Sequence, residues 1–111
     1  MTKTKEKKKH ISKLNMKKLG CCDISSFDFS IARVIALALR ELSDITSGYP
    51  QSFSSLEEWK TFCRKIAYDI DTYLEYTKMP SDWDGKKEER LAKVAEKAMM
   101  RFTKNWRSFW I

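Results

Sequence analysis

Glycine and proline are scarce in this chain, three and two among 111 residues, and its one histidine, His10, sits among lysines. So few breakers exclude a collagenous or low-complexity chain. Three cysteines, Cys21, Cys22 and Cys63, and that lone histidine offer no set of four zinc ligands at a workable spacing. The odd cysteine count gives no basis for a disulfide scaffold either. Cys63 falls at an apolar helical position and reads as an ordinary buried thiol. Long hydrophobic runs are missing too: the longest, Val34 to Leu39, ends at Arg40, far short of the ~20 residues of a membrane span. The cationic N-terminus has no apolar stretch behind it, so no secretory signal is expected and the chain is expected to be cytoplasmic.

The signatures of catalysis are missing as well. There is no glycine-rich phosphate loop, no Gly-x-Ser-x-Gly elbow and no His-Glu-x-x-His. Asp69 and Asp71 stand two apart, and on a helix such positions face different ways and cannot share a substrate. Asp82 and Asp84 flank Trp83 without the further oxygen ligands of a calcium loop. The expectation is a protein that is not an enzyme and holds no cofactor or metal.

What the chain does contain is 42% hydrophobic, 33% charged and 13% aromatic residues, the mix of one helical globular domain with a modest core. Its net charge of +7 is unevenly spread. Residues 1–20 hold eight lysines against Glu6, whereas residues 21–111 are balanced, with 14 basic and 14 acidic groups. Within that balanced part, residues 21–85 carry a net −5 and residues 86–111 a net +5. The molecule thus has a positive arm, a negative middle and a positive end.

The periodicity predicts an all-α fold: a small three-helix arrangement in residues 28–111, behind a basic flexible arm and connector in 1–27. Helix one is expected over Phe29–Ile45, capped by Asp28, with Ile31, Val34, Ile35, Ala38, Leu42 and Ile45 on its inner face and Leu37 and Leu39 widening the stripe. Thr46-Ser47-Gly48-Tyr49-Pro50 marks a loop. Helix two opens on a doubled capping box, Ser54 to Glu57 and Ser55 to Glu58. It continues through Trp59, Phe62, Cys63, Ile66, Ala67, Ile70, Tyr73 and Leu74 and ends before Met79-Pro80. Helix three is expected over Lys86–Phe109, with Leu91, Val94, Ala95, Ala98, Phe102, Trp106 and Phe109 inward.

Two features carry the functional expectations. Arg90, Lys93, Lys97, Arg101 and Lys104 recur every three or four residues, a cationic stripe that with Trp110 forms the candidate partner-binding surface. Lys7, Lys8, Lys9, Lys13, Lys17 and Lys18 of the arm are the candidate nucleic-acid contacts, suited to phosphates and poorly suited to reading bases. Ile11 and Leu14 give the arm an amphipathic character, but it is too short for a helix that is stable alone.

Asp28, Ala32, Leu39, Tyr49-Pro50, Glu57-Glu58-Trp59 and Lys65, followed by Phe102, Lys104, Trp106 and Trp110, form a sparse pattern across residues 28–111. In this the chain resembles a group of small uncharacterised proteins of tailed bacteriophages, whose second helix opens on Glu-Glu-Trp and whose last helix is aromatic. It departs from them at Ile111, where an acid is usual, and in its basic arm. The resemblance implies a phage accessory protein in the cytoplasm of an infected bacterium, and it supplies no catalytic residue. The function it suggests is binding to a host or defence-related protein or ribonucleoprotein, for example as an anti-CRISPR-like or other anti-defence inhibitor. Sequence-tolerant nucleic-acid binding in genome handling and a role in virion assembly are the alternatives.

Overall fold

The computed structural model describes residues 27–78 and 80–110. The lysines of the arm lie outside the described residues. Three helices make up the fold: α1 (Phe27–Ile45), α2 (Leu56–Tyr76) and α3 (Gly85–Lys104), followed by a short 3₁₀ turn, Trp106–Ser108. The described residues form no strand.

Each boundary has a local cause. Asp28, expected as the cap of α1, lies inside its first turn, where its carboxylate accepts from the amide of Phe29 at 2.9 Å. Ser55 caps α2 by accepting from the Glu58 amide at 3.1 Å. The reciprocal arm of the box reaches one residue further back: Glu58 Oε1 accepts from the backbone and the hydroxyl of Ser54, at 2.6 and 2.7 Å. Of the two overlapping boxes, the Ser55–Glu58 pair caps the helix. Asp84 caps α3 by accepting from the Lys86 amide at 3.1 Å, which gives that carboxylate a structural task. The turn before it is tacked to α2 by the Tyr76 hydroxyl, which accepts from the Asp84 amide at 2.6 Å.

α2 is the central helix. Trp59, Cys63, Ile66, Ala67, Ile70 and Leu74 are buried along it, as their spacing predicts. Both other helices pack on α2, and they have little direct contact with each other. Contacts run in opposite order along each pair: Phe29 meets Tyr73 and Asp44 meets Arg64, while Asp84 meets Tyr76 and Phe109 meets Trp59. Both α1 and α3 are therefore antiparallel to α2 and parallel to each other. Asp69 and Asp71 do face different ways. Asp69 turns to Arg101 of α3 and Asp71 to Arg40 of α1.

The inner face of α1 follows the predicted one in part: Leu39 is in the core and Ile35 and Leu42 pack against it, but the face is centred elsewhere. Ala36 and Leu39 are the core residues there, with Ser43 fully buried beside them. At 100° per residue this face is turned by about a third of a revolution from the stripe of larger aliphatics. Ile31 and Ile45 are exposed at 42% and 41%. Alanine and serine let the α1 backbone come close to α2, and Ser43 Oγ both donates to the Arg40 carbonyl and accepts from Arg64 Nε. Close approach of small side chains thus outweighs the hydrophobicity of the larger stripe.

Helix three ends early, and this changes the aromatic end. Asn105 leaves helical geometry at φ −117°, ψ 14°, while its side chain donates to the Arg101 carbonyl at 2.9 Å. The 3₁₀ turn that follows brings Phe109 back onto Trp59, with centroids 5.2 Å apart, and onto Phe102 at 5.1 Å. Trp106, expected inward by α-helical spacing, is instead 62% exposed, because that spacing stops at Lys104. Val94, also expected inward, is 41% exposed.

Candidate partner-binding surface

Arg90, Lys93, Lys97 and Lys104 are all exposed along α3, so its helical twist does gather them on its outer side. Lys93 lies 3.6 Å from Glu89 one turn earlier, a solvated pair that contributes little to stability. Arg101 behaves differently. Its guanidinium donates at 2.9 Å to Asp69 Oδ2, whose carboxylate is 5% exposed and also receives Lys65 at 2.9 Å on Oδ1. Arg101 therefore ties α3 to α2 and has less freedom than its four neighbours to reach a partner. Trp110 is 68% exposed, which places it on the surface.

A larger feature was not visible in the sequence. Because α1 and α3 both lean on α2 without closing on each other, two hollows lie between them. The upper one, about 710 Å³, lies between the second half of α1 and the aromatic end, with Val34, Ala38, Leu42 and Ile45 on one side and Trp106 and Trp110 on the other. The lower one, about 370 Å³, lies between Ile31 and Ala32 of α1 and Ala92 and Met99 of α3. Ile31, Val34 and Ile45, which are not packed on the core, line these hollows. The signal for it was the width of the apolar set on α1, more than one neighbour could cover.

The charged residues in the walls are Glu41 above and Asp28 and Glu96 below, all acidic. Burial first, then the carboxylates of Glu88, Asp28 and Glu96, push the phenol of Tyr73, in the lower hollow, above the usual range. The hollow on the other side of α2 has mixed walls, with Arg33, Arg40 and Lys87 beside Asp71 and Glu75. Cys63 is fully buried, and that burial pushes its thiol up to about 11, so it stays protonated at neutral pH. Among the described residues, no group of three or more His, Cys, Asp or Glu is placed to hold a metal ion, and no helix is long and apolar enough to cross a membrane.

Set against known families, curated proteins and solved structures, the chain matches none.

Proposed function

We propose that this protein works by stoichiometric binding, as a non-enzymatic phage accessory factor that engages and modulates or inhibits a host or defence-related protein or ribonucleoprotein. The observation that carries this reading is α3 with the turn after it, where Lys97 and Lys104 are exposed on the helix and the indoles of Trp106 and Trp110, which follow it, are more than 60% exposed. Cations at a rim steer association, and a tryptophan beside them supplies the tightly packed contact. Phe102 and Phe109 anchor the same segment to Trp59, so the presented surface is built on a rigid base.

The test is affinity capture from a bacterial extract with the full chain, with and without nuclease, against the variant Lys97→Glu/Lys104→Glu/Trp110→Ala. Arg101 is left intact, since removing it would strand Asp69. A stoichiometric protein partner that survives nuclease and is lost with the variant is the expected result. Wild-type affinity in a folded variant would refute the assignment. Capture of nucleic acid alone would favour the second reading, sequence-tolerant nucleic-acid binding, which the eight lysines of residues 1–20 support.

A further inference from the structure

We propose that the upper hollow between α1 and α3 is the contact of a twofold dimer, in which the aromatic end of each copy seats in the hollow of the other. The hollow is lined by Val34, Ala38, Leu42 and Ile45 on the α1 side and by Trp106 and Trp110 on the other. Glu41, the one charged residue among the described residues of the lining, is already engaged within the chain. The lining thus offers no free charge to select an ionic ligand. An interface core has the same character, depleted of charge and rich in aromatic side chains.

Shape selects a second copy. A twofold contact needs one patch that is both knob and socket, since residue i of one subunit meets residue j of the other and j meets i. Here the projecting indoles, 62% and 68% exposed, line the same hollow that they would fill. Because α1 and α3 run parallel to each other, a twofold axis along the hollow lays α1 of one copy over α3 of the other. The aliphatic wall of each copy then meets the indoles of its partner.

The exposed area is of the right size. A large aromatic side chain buries about 150–250 Å², so two indoles at 62% and 68% exposure still offer roughly 300 Å². Ile45, 41% exposed, adds to this from the α1 side. A standard interface takes about 800 Å² from each partner, of which somewhat more than half, roughly 450 Å², is apolar. The two indoles alone supply about two-thirds of that apolar share. The dimer stands apart from the proposed partner, but the two meet at Trp110. A partner that takes this indole must part the copies, so the dimer is a resting form that covers the apolar surface until then.

The experiment is sedimentation equilibrium of the purified full chain at about 0.3 M salt, which screens the positive arms of the two copies from each other. The mass should be that of one chain at high dilution and should approach twice that by about 100 μM. Ile45→Arg and, separately, Trp106→Ser alter exposed side chains, so the unfolding midpoint in urea should hold while the dissociation constant of the dimer rises about tenfold or more in each. In a dimer mixed from isotope-labelled and unlabelled chains, the methyl groups of Ile45 should show nuclear Overhauser contacts to indole protons of the other copy. A chain that stays monomeric up to about 1 mM would overturn the proposal. So would a dimer that both variants leave intact while folded, or one whose contacts between copies lack the Ile45–indole pair, since either places the interface elsewhere. None of these failures bears on the partner reading, because no partner is present in the test.

Discussion

Asp69 and Glu58 show how differently two carboxylates of α2 work. Asp69 is buried, and its two oxygens are taken by Lys65 of its own helix and Arg101 of α3. Removing Arg101 would leave a buried charge with one partner. Arg101→Ala is therefore expected to cost about 1–3 kcal/mol in a urea titration, a range lowered because the guanidinium is partly solvated. The double variant Arg101→Met/Asp69→Leu should recover most of that loss, since an apolar pair strands no charge. Glu58 is fully solvated, and its task is to accept from the Ser54 amide and hydroxyl, which hold its carboxyl below the ordinary carboxylate range. A depressed folded value means stability that is present above the unfolded value of about 4.3 and is lost as pH falls through the folded one. Glu58→Gln should accordingly show a lower unfolding midpoint than wild type at pH 7, and the two should converge under acid conditions. A constant difference down to pH 2 would remove the capping role.

At the scale of the elements, α2 was legible residue by residue because it is covered from two sides: a wide apolar band with a serine cap is the same pattern whichever neighbour lies on it. α1 was legible as a helix but only in part in its orientation, since Ile35, Leu39 and Leu42 do meet the core while Ile31 and Ile45 do not. Hydrophobicity favoured the stripe through Ile31, Val34 and Ile45, whereas packing favoured Ala36 and Ser43, because small residues bring two helices closer. Periodicity carries no information on which of two apolar faces meets the neighbour. Ala36→Leu tests the point: inserting bulk at a fully buried contact should cost about 1–3 kcal/mol. Val94→Ala, at a position expected inward but 41% exposed, should be neutral or slightly stabilising through helix propensity. The early end of α3 escaped for a related reason. Asn105 is an unremarkable residue in a helical run, and its capping bond to Arg101 appears only once the chain has turned. The upper hollow between α1 and α3 was invisible on both counts, since it is lined by α1 residues turned partly off the core and by an aromatic end that leaves the helix.

For the whole molecule, charge is the property the sequence displayed most fully, because it needs no packing to be counted. Within the balanced residues 21–111 the stretch 86–111 carries a net +5 and the stretch 21–85 a net −5, while residues 1–20 carry the entire net +7. Any encounter with a polyanion should therefore be governed by the arm, with the exposed cations of α3 adding a smaller share. The salt dependence of binding to duplex DNA separates the two contributions. Each phosphate neutralised adds about 0.9 to the slope of log affinity against log salt concentration. Replacing Lys7, Lys8, Lys9, Lys13, Lys17 and Lys18 with glutamine should flatten the slope by up to about 5 units if all six reach phosphates. Replacing Lys97 and Lys104 alone should flatten it by at most about 2. Lys97 and Lys104 are exposed, so replacing them should leave the unfolding free energy within about 0.5 kcal/mol of wild type. A slope that responds mainly to Lys97 and Lys104 would reverse the assignment and make α3 the electrostatic face of the molecule.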